Sequence, residues 1–142
     1  MTAEEVFDDL SKKYGEDFNW HILPFTNKTF VAELKKEIGE EHFLYKQQIY
    51  AVAKCDSNDD VLFVAGNEDG VDVYYIFHLT YSKVNMIGYP KYKKIMGIRA
   101  VKEYIEQTTT QIVKRRLGWQ KKWYWKQLRK SNQKESSTMI DL

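Results

Sequence analysis

The chain has 142 residues, of which 43% are hydrophobic and 30% charged, the balance of one ordinary globular domain rather than a disordered or fibrous chain. At that length roughly two-thirds of the unfolded surface can be buried, so no metal or disulfide staple is needed, and a single cysteine, Cys55, excludes an intrachain disulfide and fits a reducing compartment. The net charge of +2 hides an asymmetry: residues 1–112 hold 13 Lys/Arg against 18 Asp/Glu, whereas residues 113–142 hold 9 against 2.

The N-terminus is acidic and lacks the basic start and apolar core of a signal peptide, so a cytoplasmic location is expected. No apolar run approaches the roughly 18 residues of a membrane span. Thr2-x-x-Glu5 is a capping-box pattern. Val6, Leu10 and Tyr14 follow at helical spacing, and Gly15 can close the helix. His21 to Phe25 is a short apolar stretch. Pro24 lacks a ladder donor, which predicts an edge strand or an extended lead-in. A second helix, capped by Thr26 or Asn27, carries Phe30, Val31, Leu34 and Ile38 as its apolar stripe and ends at Gly39.

From Ile49 the period changes to two, with Ile49, Ala51, Ala53 and Cys55 on one face. Asp56 to Asp60 is turn chemistry, and the nearly all-apolar run Val61–Ala65 predicts a central buried strand. After a second turn at Gly66–Gly70, Val71 to Tyr81 is the longest strand. Val71, Val73, Tyr75, Phe77, Leu79 and Tyr81 form its apolar face. Asp72, Tyr74, Ile76, His78 and Thr80 form the opposite face, polar enough to meet water or a ligand. Tyr89 to Met96 is a candidate fourth strand. Ile98, Val101, Ile105 and Ile112 fit a third helix, weakened by the β-branched run Thr108–Thr110.

Short turns between consecutive strands imply an antiparallel meander of three to four strands. The expected fold class is therefore α+β, with helices packed on one face and a basic C-terminal helix added. A single domain is expected over residues 1–131. The basic aromatic helix falls within about 113–131, and residues 132–142 read as a disordered tail.

Two constellations could carry chemistry. His42, Asp59, Asp60 and His78 are one, because the end of the longest strand should lie beside the turn holding the two aspartates. Paired carboxylates with imidazoles can move protons or bind metal. The plain alternative is two turn aspartates and a half-buried strand histidine, and no H-x-x-x-H or C-x-x-C spacing supports a metal. The other constellation is Lys114, Arg115, Arg116, Trp119, Lys121, Lys122, Trp123 and Trp125. Its cations can neutralise phosphates, and its rings can stack on bases or enter a lipid interface. It can equally dock on the core through Val113, Leu117, Tyr124 and Leu128, or balance the acidic body. The glycines form no phosphate-binding loop or nucleophile elbow, Asp56-x-Asn58-x-Asp60 lacks the glycine of a calcium loop, and Cys55 reads as a small buried hydrophobe. No cofactor or metal is expected.

Phe30–Gly39, His42-Phe43-Leu44-Tyr45, Asp59-Asp60-Val61-Leu62-Phe63 and His78-Leu79-Thr80-Tyr81 together resemble a family of small uncharacterised bacterial proteins. Those carry H-P-L-Y, D-D-V-L-F and H-L-T-W elements in this order. The resemblance covers about residues 30–82 and departs at Phe43 and Tyr81. It points to the same His and Asp positions and implies no reaction. The expected function is a non-enzymatic interaction or accessory module of immunity type that binds another protein. The alternatives are a small-ligand or hydrolytic site at the His and Asp residues, and nucleic-acid binding through the basic C-terminal segment.

Overall fold

The computed structural model describes residues 1–84 and 86–115. The chain divides into two units, Met1–Glu106 and Gln107–Leu142, and the packing described below is that of the first. Helix α1 spans Ala3–Tyr14, with Oγ1 of Thr2 accepting the Glu5 N–H as its cap. Helix α2 spans Thr29–Ile38, and residues 98–115 form helix α3. The strands are β1 (Trp20–Ile22), β2 (Ile49–Cys55), β3 (Asp60–Glu68), β4 (Val71–His78) and β5 (Tyr92–Met96). They make one antiparallel sheet in the order β1-β2-β3-β4-β5. The α+β class and the meander hold, with five strands where three to four are expected. The added strand is the short edge β1, which ends before Pro24 as a missing ladder donor requires.

The expectation of helices on one face is overturned. Side chains alternate across a sheet, so neighbours in β3 and β4 belong to different layers. Leu62, Tyr74, Ile76 and Ile95 pack with Val6, Phe7 and Leu10 of α1 and Val101 and Ile105 of α3. Val61, Phe63, Val73, Tyr75 and Phe77 pack on the other side with Leu34 of α2 and Leu44. The face of β4 expected to meet water thus buries Tyr74 and Ile76 at 7% and 5% exposure. Tyr and Ile are apolar enough to be covered, and three amphipathic helices need more than one face to cover.

Three local differences follow from backbone chemistry. The register of β2 shifts between Ala51 and Ala53, because Ala51 pairs with Phe63 but Ala53 with Leu62. This bulge rotates the strand, so Ile49 and Ala51 face α2 whereas Ala53 and Cys55 face α1. The cap of α2 is Lys28, with no side-chain hydrogen bond, rather than Thr26 or Asn27. Strand β4 stops at His78, three residues short of the expected end, because Thr80 and Tyr81 turn their N–H groups toward a carboxylate of α2.

Candidate binding surface

The structure brings two of the four His and Asp candidates together. Asp60 and His78 are direct cross-strand partners, and His78 Nδ1 lies 2.8 Å from Asp60 Oδ1. His78 is more than half exposed, and Asp60 sits close enough to Tyr104 of α3 to push its phenol pKa up, after burial, which is the larger cause. His42 lies on the other side of the sheet. Its ring stacks on Phe43 at 4.5 Å and meets Phe77 and Tyr92 edge-on, each at 6.3 Å. Burial lowers the His42 pKa, and its Nδ1 accepts the Leu44 N–H, so the neutral imidazole carries its proton on Nε2. Asp59 is exposed, and its backbone oxygen accepts the Leu79 N–H. The four residues therefore do not converge. Among the described residues, no group of three His, Cys, Asp or Glu side chains is placed to hold a metal ion. A second His–Asp contact, His21 with Asp56, flanks the same β2–β3 turn.

One chemically unusual group escapes the sequence reading. Glu37 of α2 is 8% exposed. Its Oε1 accepts the Thr80 N–H at 2.7 Å and the Thr80 hydroxyl at 2.8 Å, and its Oε2 accepts the Tyr81 N–H at 3.1 Å. Burial alone would raise its pKa. Hydrogen bonds from Glu33, from Thr80 and from Tyr81 outweigh that and hold it below the ordinary value. Glu33, one turn earlier, is pushed up, first by the hydrogen bond with Glu37 and then by burial. Lys36 Nζ is 3.9 Å from Glu33 and largely exposed, so it opposes this shift weakly. The pair thus favours one shared proton, with Glu33 the acid and Glu37 the carboxylate. Oε2 of Glu33 is buried and receives no N–H or O–H from another residue type, a cost a neutral acid bears better than an anion. A signal for Glu37 exists in the sequence: it lies three residues after Leu34 and seven after Phe30, inside the apolar stripe.

The clamp fixes the start of the β4–β5 loop, where Tyr81 adopts a left-handed φ of 53°. Such a backbone costs about 1–3 kcal/mol for a residue with a side chain, and three hydrogen bonds to one carboxylate offset it. Beyond the clamp the surface becomes apolar and aromatic. Tyr92 stacks on Phe77 at 4.9 Å, and Phe43, Tyr75 and Tyr92 lie with centroids 6.0–6.4 Å apart. Tyr75 and Phe77 are buried, but Phe43 and Tyr92 are about half exposed, so the cluster ends in an aromatic shelf open to water. The loop adds Tyr81, Val84, Met86, Ile87 and Tyr89, all exposed.

Of the basic candidates, Lys114 and Arg115 are exposed in α3. Arg116, Trp119, Lys121, Lys122, Trp123 and Trp125, with the rest of the helix expected over 113–131 and the tail 132–142, lie outside the described residues. No helix among the described residues is long and apolar enough to cross a membrane. Comparison with protein-family models, with curated proteins and with solved structures finds no match.

Proposed function

We propose that this chain is a non-enzymatic binding module, of accessory or immunity type, that holds another protein against its aromatic shelf. The observation that carries the reading is the exposure of Phe43 and Tyr92 at the rim of an otherwise buried aromatic cluster. Half-exposed aromatics on a rigid base offer large contact area at low ordering cost, which is the chemistry of interface anchors. The sheet beneath them is rigid because both of its faces are packed. A catalytic reading would need the His and Asp candidates in one place, and His42 and His78 stand on opposite faces. The membership of the small bacterial family that the sequence resembles stands as part of the same proposal.

The test uses the full chain as bait in a nuclease-treated lysate of its host, beside a Phe43→Ser/Tyr92→Ser variant. The reading predicts a defined protein retained by the wild type and lost by about tenfold or more from the variant, since each anchor is worth roughly 1–2 kcal/mol. Retention unchanged by the double substitution removes the shelf from the interface.

A further inference from the structure

We propose that the β4–β5 loop is a membrane-docking element that seats its apolar tip in an anionic lipid surface. The tip is Val84, Met86 and Ile87, exposed to 87%, 76% and 105% of their full side-chain-bearing surface. Three large apolar residues within four positions are held almost wholly in water. Neither core cluster of the described residues includes them. Large apolar side chains exposed so near one another in the chain mark a surface that meets something apolar.

The charge of the segment that carries the tip selects the kind of surface, although Asp59, Glu33 and Glu37 from other elements act on Tyr81 at the base of the loop. Residues 73–102 contain no Asp or Glu, although residues 1–112 as a whole are net acidic. Lys94 and Lys102 within that stretch are paired, with Glu68 at 3.0 Å and Asp9 at 3.8 Å, and Lys93 lies over the Tyr104 ring. Lys83 and Lys91 flank the tip, the latter 5.0 Å from the centroid of the Tyr89 ring. Half-exposed Tyr89 stands in the chain between Lys91 and the apolar side chains, and half-exposed Tyr81 precedes Lys83. On the C-terminal side of the tip the chain runs apolar, tyrosine, lysine, the order in which a bilayer changes from acyl chain to interface to anionic headgroup. A protein partner would need a pocket shaped to three projecting side chains, whereas a fluid acyl layer needs none.

The loop is also built on fixed ends. The Glu37 clamp holds Thr80 and Tyr81. At the other end the His78 N–H donates to Lys91 O at 2.9 Å, and within the tip the Tyr89 N–H donates to Met86 O at 3.1 Å. Docking therefore orders little new backbone.

The experiment is co-sedimentation of the full chain with vesicles of phosphatidylcholine alone and of phosphatidylcholine doped with phosphatidylserine. Wild type is expected to partition onto the doped vesicles and far less onto the neutral ones. Val84→Ser/Met86→Ser/Ile87→Ser is expected to lower that partition by about tenfold or more, and Lys83→Gln/Lys91→Gln by about tenfold. Both variants should keep the wild-type melting temperature, because every substituted side chain is at the surface. Absence of wild-type partition, equal partition onto neutral vesicles, or partition untouched by the triple substitution each overturns the proposal, the last by assigning it to the basic C-terminal segment. Loss of the shelf-bound protein from the triple variant, with vesicle binding intact, also overturns it and gives the loop to a protein partner.

Discussion

Glu37 is the residue whose removal should be felt most per atom lost. Its carboxylate satisfies two backbone N–H groups and a hydroxyl where the chain leaves β4. Glu37→Ala would strand these donors, at a cost of about 3 kcal/mol, visible as a lower urea midpoint. Glu37→Gln keeps one acceptor oxygen and should cost less. The pair also sets a pH dependence. Glu37 is depressed, so its contribution is complete above the unfolded carboxyl's pKa and is lost as pH falls through the folded value. Glu33 is raised, so its contribution is complete below the unfolded pKa and is lost as pH rises through the folded value. Stability from the pair therefore peaks between the two. In melting curves taken across pH, Glu33→Gln should remove the decline on the alkaline side and leave the acid side in place.

At the scale of elements, the β3–β4 hairpin states its turn rule openly. Glu68 pairs with Val71 across Asp69 and Gly70, whose φ values are 54° and 80°, the two left-handed residues of the turn that matches strand twist. A Cβ at Gly70 would meet nothing within 4 Å, so Gly70→Ala isolates backbone strain. It should cost about 1–2 kcal/mol, and Asp69→Asn should be neutral or slightly stabilising, both read from thermal melts. The α1 cap, the Gly39 stop and the presence of this hairpin were legible because each rests on neighbours within four residues, but the turn expected over Gly66–Gly70 closes to Asp69 and Gly70 because β3 runs on to Glu68. The β2 bulge was not. Ile49, Ala51, Ala53 and Cys55 alternate without a break, and what shifts their register is the pairing with Phe63 and Leu62 across the sheet. The end of β4 was hidden for the same reason, since the carboxylate that stops it lies 43 residues earlier.

For the whole molecule, the central difference is a sheet covered on both faces. Ile76 faces α1 and α3, and Ile49 faces α2. Ile76→Val and Ile49→Val should each cost about 1 kcal/mol, and the double variant should cost their sum to within about 0.5 kcal/mol, since the two sites share no layer. With one wet face, Ile76→Val would be neutral in the same urea titration. The sequence by itself determined the three central strands, the turns that join them, their antiparallel order and the placing of His78 beside the Asp59–Asp60 turn, because period, turn residues and hairpin connection are local. Only the tertiary structure decided which helix covers which face, that His42 stands apart from His78, and that Glu37 is a buried clamp. Those depend on which apolar stripe wins which side of the sheet, a choice made by packing among segments far apart in the chain.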